Sequence, residues 1–107
     1  MSNSPTSVFN RSVTGRVHVT DVPVDVLSDR RGEGSSTRTP RVHAVLTNDG
    51  DSKCYLALGS EAVWGEGIPL EPSGSYVINF SNLTWAHVSF VCDTGGSTYI
   101  ATHESFA

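Results

Sequence analysis

Residues 41–58 read RVHAVLTNDGDSKCYLAL, and in two parts of this stretch apolar and polar side chains alternate. Alternation with a period of two is typical of a β-strand that buries one face and exposes the other. Between the two parts lies Asn48-Asp49-Gly50-Asp51, which favours a tight turn because Asn, Asp and Gly tolerate positive φ. The sequence therefore predicts a β-hairpin of strands 41–47 and 53–58. The side chains expected to point into the core are Val42, Ala44, Leu46, Cys54, Leu56 and Leu58.

A calcium loop is the alternative interpretation of residues 48–52. Asp49 and Asp51 place carboxylates at alternate positions, as calcium loops do. The downstream glutamate that completes such a loop is missing, however, and Lys53 adds a positive charge beside it. A hairpin turn is therefore the better interpretation.

Short alternating stretches continue on both sides of this predicted hairpin, and no segment has three turns of helical periodicity. Pro23 removes a hydrogen-bond donor from one of them, so that strand is expected to lie at a sheet edge or to carry a bulge. The predicted class is all-β: a small antiparallel β-sandwich or barrel of seven to eight short strands, with an extended N-terminal arm. The predicted strands besides the hairpin are 13–19, 22–26, 75–81, 85–92 and 98–104, with a short apolar plug at 68–70.

Two of these strands have faces that can be assigned from the sequence. In strand 13–19, Val13, Val17 and Val19 are expected to face the core. In strand 85–92, the apolar face consists of Ala86, Val88, Phe90 and Cys92, and the opposite face of Trp85, His87, Ser89 and Val91.

Length and composition limit the function. The chain has 107 residues, enough for one domain, and we divide it into an arm at 1–12 and a domain at 13–107 with a long polar loop at 28–40. The net charge of −4 argues against a general nucleic-acid binder. The sequence contains no apolar run long enough to span a membrane and no signal sequence, so we expect no membrane partner and a chain that is kept in a cytoplasm or exported only inside a larger assembly. In that compartment Cys54 and Cys92 are expected to be free and buried.

The segment from Tyr55 to Thr102 contains a series of short motifs. A Tyr-x-x-Leu-Gly strand begins at Tyr55, and Gly67-Ile68-Pro69-Leu70-Glu71-Pro72 leads through a turn to a strand at Ser75. In these motifs, which cover just under half of the chain, the sequence resembles small all-β structural proteins of tailed bacteriophages. That family includes capsid decoration (cement) proteins and fibre or spike parts. The resemblance implies a virion protein assembled in the host bacterial cytoplasm. By analogy with the family it also implies a homo-oligomer, for which a trimer is the preferred expectation.

Positive charge is concentrated in the first part of the chain. Residues 1–41 contain six arginines and four acidic residues, whereas residues 42–107 contain Lys53 and seven acidic residues. Arginine binds carboxylates through its planar guanidinium, so this region is expected to contact an acidic patch on a major capsid protein or another virion protein. The predicted contact residues are Arg30, Arg31, Arg38 and Arg41, with Val8 and Phe9 as apolar anchors of the arm.

Exposed aromatic side chains suggest a second kind of site. Trp64 lies in a glycine-rich connection and Trp85 on the predicted polar face of its strand, so both are expected to form an exposed aromatic surface. Such a surface suits a protein interface or a glycan on the virion surface. The four histidines lack the spacing of a metal site, and we expect no metal and no cofactor. No catalytic constellation is recognisable, which argues against an enzyme.

The function expected from the sequence is therefore structural. The protein would bind the outside of a phage capsid and stabilise it by bridging neighbouring subunits. The alternative is a carbohydrate-binding or fibre or spike module on the virion surface.

Overall fold

The structure, a computed structural model, describes residues 11–28, 41–79, 81–82, 84 and 86–106. These residues form strands and connecting turns, and no helix occurs among them. The first strand begins at Arg11, so the last two residues of the predicted arm belong to a sheet. The strands are β1 (Arg11–Val19), β2 (Val24–Leu27), β3 (Arg41–Asn48), β4 (Cys54–Leu58), β5 (Ile68–Leu70), β6 (Ser75–Ile78), β7 (Val88–Cys92) and β8 (Thr98–Phe106).

The eight strands form two four-stranded antiparallel sheets. Sheet A has the order β1-β8-β3-β6, and sheet B has the order β2-β7-β4-β5. Apolar side chains from both sheets form a single core, which confirms the predicted all-β class and small β-sandwich. Its fully buried members include Val19, Ala44, Leu46, Leu56, Ile78, Val88, Phe90 and Ile100.

The predicted hairpin of residues 41–58 is wrong, because its two strands lie in different sheets. β3 pairs with β6 and β8, whereas β4 pairs with β5 and β7. The turn between them crosses from sheet A to sheet B. Alternation identifies the face that a strand buries but not the strand to which it bonds, and both inward faces here meet the same core.

The crossing is organised by Asn48, whose side chain is fully buried. Its Nδ2 donates to the carbonyl of Ser52 at 2.8 Å and to that of Leu70 in β5 at 3.0 Å. Its Oδ1 accepts a hydrogen bond from the hydroxyl of Thr98 in β8. A single amide therefore links the turn to one strand of each sheet.

Gly50, in the same crossing, has no room for a side chain. A Cβ built on this residue would lie 2.9 Å from the Cα of Thr98. The crossing therefore packs directly against the backbone at the beginning of β8.

β2 has both features that the presence of Pro23 led us to predict, an edge position and a bulge. It bonds to β7 alone among the described strands, at one end of sheet B. Its register shifts between Asp25 and Leu27, so the strand also carries a bulge. Both alternatives offered by the sequence are realised together.

Two predicted strand faces need correction. In β1, Val19 is buried but Val13 is 52% exposed, because this edge strand reaches past the part of the core that covers Val19. In β7, Ser89 and Val91 were expected on a polar face, but both are buried. The connection at 59–67 covers this face, and the amide of Ala62 donates to the Ser89 hydroxyl at 3.0 Å.

Candidate functional site

Arg41 is the first residue of β3, and its side chain is fully buried. The pairing of β3 with β8 shifts its register between Arg41 and His43. Such a bulge adds one residue to a strand and changes the face on which the side chains before it lie. Arg41 therefore points inward, where uninterrupted alternation would have placed Val42.

The guanidinium of Arg41 joins separate parts of the chain. Its Nε donates to Oε2 of the buried Glu104 at 2.7 Å. Its Nη1 donates to the carbonyls of Thr84 and Ala86 at 2.8 and 3.0 Å. Its Nη2 donates to the carbonyl of Ser28 at 2.6 Å. We call Arg41 with these partners the arginine clamp. The fixed fork of guanidinium donors suits such a set of acceptors.

The prediction that Arg41 contacts a neighbouring protein is wrong. Its side chain has no exposed surface, and its charge is balanced inside the domain by Glu104. The bulge is the physical reason, since it reverses the face on which this side chain lies.

The arginine clamp holds both ends of the segment 29–40. Ser28 precedes that segment and Arg41 follows it, and the two residues share a hydrogen bond of 2.6 Å. The chain therefore leaves and re-enters the sandwich at one place. Arg30, Arg31 and Arg38 belong to this segment and lie outside the described residues, as do Val8, Phe9 and Trp85.

Trp64 lies on the outer side of sheet B and is 40% exposed. Its ring meets Tyr55 of β4 edge-on, with 4.8 Å between the ring centroids. Lys53 Nζ lies 5.2 Å from the Tyr55 ring centroid and 3.4 Å from Oε2 of Glu71. The Tyr55 side chain first, and the Glu71 carboxylate second, raise the pKa of Lys53. We call Trp64, Tyr55, Lys53 and Glu71 the aromatic patch.

A shallow pocket of about 210 Å³ lies beside the aromatic patch. Carboxylates and small or apolar groups line it, so it offers hydrogen-bond acceptors. The lining residues are Ala57, Ser60, Glu61, Val63, Glu66 and Gly67.

Sheet A presents a second exposed cluster, which is centred on Tyr99. Tyr99 stacks against His18 with 4.8 Å between ring centroids, and the Arg16 guanidinium lies 4.1 Å from the same ring. Arg16 also forms an ion pair of 3.3 Å with Asp49. Arg16 and His18 on β1 meet Tyr99 through the pairing of β1 with β8, and Asp49 directly follows β3, which pairs with the other side of β8. A local pattern could not have identified them.

The two cysteines are free and buried, as predicted. They lie opposite each other on β4 and β7. Burial raises the pKa of the Cys54 thiol to about 12, and burial is also the main cause of the raised pKa of Cys92. Both thiols are therefore protonated and weakly nucleophilic near neutral pH.

In the part of the chain that the structure describes, no group of three or more His, Cys, Asp and Glu side chains could hold a metal ion. The same described residues contain no helix capable of crossing a membrane. Comparison of the chain with protein-family models, curated proteins and solved structures gives no match.

Proposed function

We propose that this protein is a non-enzymatic structural component of a phage virion, which binds the outside of the capsid and stabilises it by bridging neighbouring subunits. The motifs between Tyr55 and Thr102 support the virion assignment by resemblance. The partner is a major capsid protein or another virion protein that carries an acidic patch.

The observation that carries this proposal is the arginine clamp at the base of segment 29–40. Because Ser28 and Arg41 are hydrogen-bonded to each other, the segment is attached to the sandwich at a fixed place. Attachment at both ends reduces the conformational entropy that a binding segment loses on docking. Arg30, Arg31 and Arg38 then supply three guanidinium groups for carboxylates of the partner.

The experiment replaces these three arginines with serine and measures co-sedimentation with phage heads that lack the protein. We expect occupancy to fall, and the loss to be larger at low salt because salt screens exposed charges. The matched control is Arg11→Ser, Arg16→Ser and Lys53→Ser, which removes the same charge outside the segment. Equal occupancy of both triple variants would contradict docking through the segment.

A second candidate function is carbohydrate binding on the virion surface, as in a fibre or spike module. It is favoured by the exposed Trp64 ring of the aromatic patch and by a pocket that Glu61 and Glu66, from the same connection, line. An aromatic face can pack on a sugar ring while carboxylates accept hydrogen bonds from its hydroxyl groups.

A glycan array tests this second candidate. Binding should be lost in Trp64→Ala and kept in Val22→Ala, which truncates an exposed apolar side chain elsewhere. Absence of binding by the unmodified protein, or full binding by Trp64→Ala, would exclude the aromatic patch as a sugar site.

A further inference from the structure

β1 forms one edge of sheet A and is the longest strand at any edge of the sandwich. It pairs with β8 through nine consecutive residue pairs, from Arg11↔Phe106 to Val19↔Thr98, without a register shift. No other described strand lies on its far side. The pairing of this edge strand with β8 is therefore uninterrupted over the full length of β1.

The direction of the backbone groups along this edge follows from one hydrogen bond. The amide of Asp49, directly after β3, donates to the carbonyl of Tyr99 at 2.7 Å. In an antiparallel strand the N–H and C=O of one residue point to the same side, and successive residues alternate. Tyr99 therefore turns its polar backbone groups towards β3, and the pair that it forms with His18 is not hydrogen-bonded.

It follows that alternate residues of β1 direct their backbone groups away from β8. The strand is exposed at all of these positions, so the groups are available to another chain. The outward-facing residues are Ser12, Thr14, Arg16 and His18.

Among the described strands, the other three edges carry a bulge, a proline or a short length that protects them, and β1 has none of these features. β2 has a bulge, β5 is three residues long with Pro69 at its centre, and β6 has four residues. Proteins use such devices, together with lysine, to prevent edge-to-edge association. β1 contains no proline, lysine or bulge, and its Val13 is 52% exposed.

We propose that β1 is a dimerisation edge, which pairs antiparallel with β1 of a second copy of this chain about a two-fold axis at Gly15. In this register each outward-facing residue stands opposite another one: Thr14 opposite Arg16, and Ser12 opposite His18. The backbone groups of both strands are then satisfied along the whole edge. The two sheets A become one continuous sheet.

Side-chain chemistry favours a second copy as the occupant. The two-fold axis places Val13 of one copy opposite Val17 of the other, so the exposed valine gains an apolar neighbour. Arg16 stands opposite Thr14, and its charge is already balanced by Asp49 of its own chain. The pairing therefore brings no two like charges directly opposite each other. An isologous contact of this kind closes as a dimer.

The dimer has a consequence that does not depend on the nature of the partner. It carries two copies of segment 29–40 on one rigid sheet, so a partner with repeated sites would bind both copies with increased avidity. A two-fold contact also predicts an even number of subunits, in contrast to the trimer expected from the family resemblance.

Analytical ultracentrifugation of the full chain over a wide concentration range tests the proposal. We expect a reversible dimer for the unmodified protein and a monomer for Thr14→Pro. The N–H of Thr14 points away from β8, so proline removes no hydrogen bond within the sheet and the melting temperature should change little. Val13→Lys, which leaves the backbone intact, should weaken the dimer about tenfold or more, because a lysine would face Val17 of the second copy.

The matched control is Val22→Lys, which places the same charge at an exposed valine away from the edge and should leave the dimer unchanged. Amide exchange gives a second measurement: protection of Thr14 and Arg16 should rise with protein concentration, while that of Val13 and Val17 stays constant. A protein that is monomeric or trimeric throughout would overturn the proposal. A dimer that survives both Thr14→Pro and Val13→Lys would also overturn it.

Discussion

Arg41 illustrates how one extra residue in a strand can reverse the role of a side chain. Periodicity placed it outside, among the arginines expected to contact a neighbour. The bulge between Arg41 and His43 turns it inward, where it meets Glu104 and three backbone carbonyls. Its contribution is therefore to hold the fold and the base of segment 29–40.

Removing this side chain should be costly. Arg41→Ala would remove the guanidinium that pairs with the buried Glu104 carboxylate, and breaking a buried ion pair destabilises proteins by about 3–5 kcal/mol. Urea unfolding measures the effect. Arg16→Ala is the matched control, since its ion pair with Asp49 is exposed and such pairs contribute about 0–1 kcal/mol. Similar losses in the two variants would contradict a structural role for the arginine clamp.

The buried thiols make the stability of the folded domain depend on pH in the alkaline range. Burial raises the pKa of Cys54 from 9.0 to about 12, so the folded state keeps a proton that the unfolded state loses first. The stabilisation is complete below the pKa of the unfolded thiol and is lost as the pH rises from about 9 towards 12. We expect the free energy of unfolding to fall more steeply over this range in the unmodified protein than in Cys54→Ala.

Urea unfolding at a series of pH values compares the two proteins. All other side chains are the same in both proteins, and the packing lost in Cys54→Ala shifts its curve by a constant amount. If the free energies of unfolding of the two proteins changed in parallel from neutral pH into this range, the Cys54 thiol would not be the cause of the pH dependence.

Among the elements, the crossing between β3 and β4 decides how the two sheets meet. Asn48 donates to carbonyls of the turn and of β5 and accepts a hydrogen bond from the Thr98 hydroxyl of β8. Gly50 allows the crossing to lie against the β8 backbone. A tight hairpin turn would have kept both strands in one sheet, so the buried amide helps to select the sandwich.

Asn48→Ala should therefore destabilise the domain by at least about 2 kcal/mol, because buried polar groups lose their partners. Chemical denaturation measures this change. The control is Thr47→Ala in the same strand as Asn48. This substitution removes an exposed hydrogen bond of 2.9 Å between the Thr47 and Ser75 hydroxyl groups. If Asn48→Ala cost no more than the control, the amide would not be essential to the crossing.

For the whole molecule, the order of strands in the two sheets predicts a graded stability. β8 and β3 are central in sheet A, and β7 and β4 are central in sheet B. Amides of central strands exchange slowly because their hydrogen bonds break only on extensive opening, whereas edge strands open locally.

Hydrogen exchange followed by NMR in dilute solution checks this order. We expect the slowest amides in β3, β4, β7 and β8. In β1, Val13 and Val17 should be protected by β8 while Thr14 and Arg16 exchange rapidly. Uniform protection along β1 in dilute solution would contradict the backbone directions deduced from Asp49 and Tyr99.

Local sequence patterns were sufficient for several features of this protein. The all-β class, the positions of most strands, the edge position of β2 and the buried state of Cys54 and Cys92 follow from alternation, turn residues and Pro23. Each of these depends on residues within a few positions of one another. Such interactions are encoded in short stretches of sequence.

Other features depended on contacts between distant parts of the chain. Those contacts place β3 and β4 in different sheets, bury the outer face of β7 beneath the 59–67 connection and turn Arg41 towards Glu104. That β1 lies at an exposed edge can also be recognised only once the bonding partners of all the described strands are known. A period of two specifies which face of a strand is apolar, but the choice of bonding partner is made by packing and hydrogen bonding across the whole domain.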